Sequence, residues 1–360
     1  MKKDSLYQGI KEPLFAAANS GRGFVSFYDD IFGKEEITRR YIIKGGPGTG
    51  KSGFMKRVAD FAEKKRKRVE YYRCSSDYES LDGIIIDGRI ALFDGTAPHC
   101  VEPELSGARD EIINLGEFWD SMALHQNLSE IKTLSEKKSK AYKKAYRYLD
   151  ACLNIENIND FHLMPCIMTE KLKKAAERIV RNIPKGKEGR ALVGLEGSLG
   201  MKGGFRFDSY IKEAEKIYAI QDYYNSAHIF LAEIADEGLK NSNLLRISYD
   251  HVSASRLDAI YFNESKTCFV VLDKIDPQKL GDYETINMKR FIDASSLKEI
   301  KGEIRSNFKI ANALLATSAE SLQNAGEYHF LLEEIYKKCM DFDAVNEFCK
   351  SFCKKLSLYL

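Results

Sequence analysis

The apolar positions of the chain fall first into short runs separated by glycine and polar turns, and later into helical stripes. Tyr41 to Lys44 is an apolar run entering a glycine loop, and Phe54, Val58, Phe61 and Ala62 follow at helical spacing, which predicts strand, loop and helix. Val69 to Cys74, Gly83 to Ile86 and Ile90 to Phe93 read as three further strands, the last ending at Asp94. This alternation predicts an α/β fold with a parallel sheet under helical cover.

From about Ile112 to Val180 the pattern turns helical and highly charged, with Lys137, Lys138, Lys140, Lys143, Lys144 and Arg147 among Tyr142, Tyr146 and Tyr148. We read this as a helical appendage, its tyrosines packed inward rather than stacked on nucleic-acid bases. The stretch Pro184 to Arg190 combines proline, glycine and charge and is the best linker, giving domains 1–190 and 191–360.

The second domain resembles the first. Tyr41-Ile42-Ile43-Lys44 matches Tyr218-Ala219-Ile220-Gln221 at an offset of 218 minus 41, or 177. Phe54, Ala59 and Asp60 match Phe230, Ala235 and Asp236 at 176, as do Leu81-Asp82 and Leu257-Asp258, so one deletion in the loop separates the two offsets. The fold is therefore expected to be duplicated. The second loop, Asp222 to His228, has neither glycine nor lysine and makes that half degenerate.

Composition narrows the function classes. Basic and acidic residues number 55 and 53, so no global field draws the chain to nucleic acid or an anionic membrane. Eight scattered cysteines read as free thiols. With no apolar signal segment or membrane span in the sequence, a cytoplasmic location is expected.

The first loop carries the chemistry. Gly45-Gly46-Pro47-Gly48-Thr49-Gly50-Lys51-Ser52 has P-loop spacing: glycines let successive N–H groups converge on phosphates, Lys51 reaches the β and γ phosphates, and Ser52 offers its hydroxyl to magnesium. Asp94, ending an apolar strand, is the candidate second magnesium residue, with a turn aspartate before Gly95 as its alternative. Asp77 and Asp82 are candidate general bases, or caps of local turns. Thr96 and His99 lie just beyond Asp94, where they either sense the γ-phosphate or serve structure.

With these residues in view, the chain resembles a largely uncharacterised family of duplicated P-loop ATPase and nucleotide-kinase-like proteins from Gram-positive, mostly spore-forming bacteria. The resemblance spans nearly the whole chain. It rests on Gly23-Phe24, Lys44 to Ser52, Cys74 to Gly83, Asp94 to His99 and Leu115 to Asp120. Members often show a second P-loop, and this sequence departs from them at Asp222 to His228. The resemblance implies a P-loop fold binding ATP and Mg2+, without an assigned substrate. Three functions fit: an ATPase acting as a conformational switch, a kinase with a small-molecule or nucleotide acceptor, or a nucleotide-gated binding protein with little turnover.

Overall fold

A computed structural model describes residues 11–360. The first half runs β1 (Leu14–Phe15), β2 (Ala17–Ser20), β3 (Gly23–Ser26), α1 (Tyr28–Phe32), β4 (Arg39–Lys44), α2 (Lys51–Lys64), β5 (Val69–Arg73), β6 (Leu81–Ile86), β7 (Ile90–Asp94) and β8 (Asp110–Asn114). Helices α3 (Ser121–Gln126), α4 (Leu128–Leu163) and α5 (Thr169–Val180) complete it. The second half repeats the order with β9 (Arg190–Val193), β10 (Gly197–Gly200), β11 (Gly203–Arg206), α6 (Ser209–Glu213), β12 (Lys216–Gln221), α7 (Ala227–Lys240), β13 (Leu244–Tyr249), β14 (Leu257–Phe262), β15 (Thr267–Val271) and β16 (Glu284–Asn287). It closes with α8 (Ala294–Lys338) and α9 (Phe342–Leu356).

The two sheets share one strand order. The first is β1-β5-β6-β7-β4-β8, and the second, read from its other edge, is β9-β13-β14-β15-β12-β16. The duplication read from offsets 176 and 177 thus holds element by element.

Both sheets are mixed rather than wholly parallel, which corrects the expectation from strand and helix alternation in part. β4 pairs in parallel with β7 and β8, but β6 runs antiparallel to both β5 and β7. The cause is the Asp87-Gly88 turn, where both residues adopt left-handed angles, φ 49° and 68°. A short turn of this kind makes a hairpin, whereas a parallel return needs a crossover of a dozen residues or more. Ile112 to Asn114, expected to start the helical region, lie instead in edge strand β8.

One apolar core draws on both sheets, joining Ile42, Tyr72 and Phe93 to Ile217, Tyr261 and Val270, with α1 and α6 contributing Phe32 and Tyr210. Related contacts cross between halves in pairs: Gly21 N–H donates to Val252 O and Met201 N–H to Ser76 O, both at 2.8 Å. The halves therefore meet about a pseudo-twofold axis, near which the buried Arg246 and Glu70, equivalent in the two repeats, stand 3.4 Å apart.

The helical tails are exchanged. α4, of 36 residues, and α8, of 45, pair lengthwise, and each carries its last helix to the opposite half. Val345, Cys349, Phe352 and Leu356 of α9 are buried with Phe54 and Val58 of α2, while Leu172, Ala176 and Val180 of α5 pack with Phe230 and Ile234 of α7. Matching bonds lock both crossings: Asp120 N–H to Cys339 O at 2.7 Å and Asp293 N–H to Cys166 O at 2.8 Å. Each half thus completes its outer core with a helix from the other. No described helix is long and apolar enough to cross a membrane, and the eight cysteines are free thiols.

Candidate functional site

The glycine loop leaves the end of β4 and becomes helix at Lys51. Gly48 and Gly50 hold φ at 69° and 89°, left-handed values that a side chain would strain. These angles turn the loop so that the N–H groups of Gly48, Thr49, Gly50, Lys51 and Ser52 find no hydrogen-bond acceptor among the described residues. Unpaired donors at a helix N-terminus, where the peptide dipoles add partial positive charge, suit an anion.

Lys51 curls back over the loop. Its ammonium donates to the carbonyls of Gly45 at 2.9 Å and Gly46 at 2.8 Å and stands 3.5 Å from Asp94. Thr49 braces the turn by donating its hydroxyl to Gly46 O at 2.9 Å, and Pro47 is the one loop residue without an N–H. The Ser52 oxygen accepts from Leu81 N–H at 3.0 Å, which ties the start of α2 to β6.

Asp94 lies opposite Ile43 in the β4–β7 ladder, so it emerges beside the loop. One oxygen accepts from the Thr96 N–H at 2.8 Å and the Thr96 hydroxyl at 2.5 Å. Burial pushes the Asp94 carboxyl above its ordinary range, with Lys51 and Thr96 acting against it.

The antiparallel run of β6 brings Asp82 to this same rim. Its carboxylate is 3.3 Å from His99 Nε2, and the His99 ring stacks on Tyr28 with centroids 4.1 Å apart. His99 Nδ1 and the Ser75 hydroxyl are buried without hydrogen-bond partners. Asp77 is engaged elsewhere: Lys202, from the turn between β10 and β11, approaches it at 2.9 Å and the Ser80 hydroxyl donates to it at 2.8 Å. Burial works to raise Asp77, but these hydrogen bonds outweigh it and hold the carboxyl low. The structure thus groups Lys51, Ser52, Asp94, Asp82 and His99 on one rim and gives Asp77 to the contact between halves.

Sequence reasoning missed the roof. A side chain on Gly46 would meet the Tyr336 ring at 2.7 Å, one on Gly48 would meet Glu333 O at 2.7 Å, and one on Gly50 would meet the Phe342 ring at 3.3 Å. All three come from the exchanged α8 and α9, nearly 300 positions downstream, and nothing local in the sequence marks them. Of the charged α4 helix, Tyr142 and Tyr146 do pack inward, bonded to Ser76 at 3.0 Å and Asn19 at 2.8 Å.

The equivalent loop of the second half is built differently. Asp222 stands where the first half has Gly45, and one of its oxygens accepts from Tyr223 N–H at 2.8 Å and Ala227 N–H at 2.9 Å. Ala227 opens α7 as Lys51 opens α2, His228 follows in place of Ser52, and Val271 occupies the ladder position of Asp94. His228 and Arg256 approach Asp160 at 3.6 and 2.7 Å, and Arg256 also bonds Glu156, so both side chains are committed to carboxylates of α4.

Among the described residues no three His, Cys, Asp or Glu side chains converge as a metal-ligand set. Comparisons with models of known families, with curated proteins and with solved structures found no match.

Proposed function

We propose that the chain binds a nucleoside triphosphate with magnesium at the first loop, acting as a P-loop protein, and that it hydrolyses ATP as a conformational switch. The observation that carries this is the run of unpaired N–H groups from Gly48 to Ser52 beside the Lys51 ammonium. Such a nest fits a phosphate chain, and Lys51 is placed to neutralise it. Magnesium would be held by the phosphates together with the Ser52 hydroxyl and, directly or through water, Asp94. Asp94 supports this reading because one of its oxygens takes both Thr96 bonds and leaves the other without a hydrogen bond, 3.5 Å from Lys51.

The exchanged roof supports the switch reading. Glu333, Tyr336 and Phe342 close over Gly48, Gly46 and Gly50, so a triphosphate seated in the loop would lie against elements that belong to the other half. Phosphate release without any added acceptor, together with a change in protease sensitivity of the α8–α9 turn between ATP and ADP states, is the expected result. No release and no binding by calorimetry would overturn it.

Phosphotransfer is the second reading, favoured by the buried Asp82–His99 pair on the same rim, with its unpaired Nδ1. There Asp82 would serve as base for an acceptor hydroxyl. A screen of nucleosides, nucleotides and sugars separates the two, since a kinase releases negligible phosphate until its acceptor is supplied.

A further inference from the structure

The inward face of α4 reads Leu134, Lys138, Tyr142, Ala145 and Leu149, spaced at three or four residues as one side of a helix requires. Leu134, Ala145 and Leu149 are buried, and Tyr142 bonds Ser76 just beyond β5, on the rim that carries the glycine loop. Lys138 is therefore a charged residue set in a packing stripe, half-buried and turned toward that rim.

Its surroundings do not account for its charge. The neighbouring Lys137 ammonium lies 5.8 Å from the Tyr328 ring centre, and Lys202 bridges Asp77 and Glu79. Among the described residues Lys138 has neither an ion pair nor a hydrogen bond. Burial lowers its ammonium below the usual lysine range, and the nearby Lys51 ammonium lowers it further. Lys138, one turn of α4 before the Tyr142–Ser76 bond, thus faces the rim where Lys51 lies beside unpaired N–H donors and pairs with Asp94. Like charges held together in a partly dry place favour a polyanion.

The internal repeat supplies an independent comparison. Asp120 and Asp293 cap the two helical tails, and the Trp119–Met340 and Ile292–Ile167 bridges mark their ends, so positions correspond at 293 minus 120, or 173. Lys138 then corresponds to Ala311, which is buried and whose carbonyl accepts from Cys152. Where the loop has closed on its own Asp222, the counterparts of both Lys51 and Lys138 are alanines. The two cations are present together or absent together, as expected of groups that serve one ligand.

Resting on the nucleotide reading above, we propose that Lys138 contacts the terminal phosphate of a triphosphate bound at the glycine loop, reporting the γ-phosphate to the α4–α8 pair. A lysine suits this task as a point charge that follows an oxygen without a fixed fork geometry. Because α4 pairs with α8, which roofs the loop, this contact couples the presence of the γ-phosphate to the packing of both halves.

The test is calorimetric titration of the full chain, in magnesium, with a non-hydrolysable ATP analogue and separately with ADP. Lys138→Met should weaken the ATP analogue about 10- to 100-fold, as loss of a charged hydrogen bond does, while ADP affinity stays within about threefold. Lys138→Arg should restore the preference for the triphosphate, and neither variant should lower the melting temperature. Equal loss for ATP and ADP, or no loss, in a protein whose parent binds both would overturn the role of Lys138 alone. A parent that binds neither nucleotide would overturn this role together with the P-loop reading.

Discussion

The two halves present the same strand order, the same helix after the same strand, and opposite answers to one problem. A chain turning from β4 into α2, or from β12 into α7, leaves N–H groups that its helix cannot satisfy. In the first half those of Gly48 to Ser52 remain unpaired, with Lys51 beside them. In the second half Asp222 folds its own carboxylate onto Tyr223 and Ala227. The second loop thus supplies its own carboxylate to its N–H groups. It also keeps left-handed backbone at Tyr224 and Asn225, φ 60° and 58°, where glycine would be unstrained. The second loop carries its own acceptor for two of its N–H groups, whereas the first carries none.

The largest effect should come from the helix that each half lends the other. Phe352 of α9 lies 4.8 Å from the Tyr41 ring and 5.4 Å from Phe54, sealing the face of the sheet behind the glycine loop. Phe352→Ala should destabilise the protein by about 3–5 kcal/mol, measured by urea unfolding, as for large aromatic deletions in cores. A loss under 1 kcal/mol would mean that α9 is not needed to close the first half.

Next comes the cation. Lys51→Ala should weaken an ATP analogue by about 100-fold or more, read by titration, without loss of melting temperature. Under the same conditions the parent should bind one nucleotide per chain. A stoichiometry of two, falling to one in Lys51→Ala, would show that the half containing Asp222 binds nucleotide after all and would break the comparison. Asp94→Asn should leave affinity within a few-fold and cost turnover about tenfold or more, with an altered magnesium dependence. Unchanged turnover would move the magnesium role to another carboxylate.

These contrasts were unequally legible in the sequence. Glycine spacing and the stripe of Phe54 and Val58 announced loop and helix because both signals are local, and the offsets 176 and 177 fell where α2 and α7, and β6 and β14, superpose. Apolar runs such as Gly83 to Ile86 look alike in parallel and antiparallel sheets, so strand and helix alternation suggests a parallel sheet even though Asp87-Gly88 between two apolar runs reads as a hairpin, and the hairpin is what the structure has. Strand β8, Asp110–Asn114, was hidden by having only two apolar residues. The helix exchange and the roof were beyond reach, since an amphipathic helix shows which face is buried but not against which half. Lys138 stood in plain view as one lysine among many, and only its place on the inward face of α4 set it apart.

The smallest effect tests the second loop itself. Asp222→Ala removes the acceptor of two N–H groups, as loss of a helix cap does, and should destabilise by about 1–2 kcal/mol. Nucleotide affinity at the first loop should not change. The sign with pH is also set: burial raises the Asp222 carboxyl above its ordinary range in spite of the two N–H bonds that lower it. An acid whose folded pKa is raised holds its proton more tightly when folded, so the parent loses stability as pH climbs from the ordinary carboxylate range through the raised value. Asp222→Ala has no such loss. The stability gap between parent and variant should therefore be widest in acid and narrow as pH rises. A gap that widens would mean that the ionised carboxylate is the favoured folded form and that its two N–H bonds outweigh burial. In that case the second loop would hold its carboxylate in ionised form more firmly than its burial suggests, and the contrast with the first loop, which has no carboxylate of its own on its N–H groups, would be sharper still.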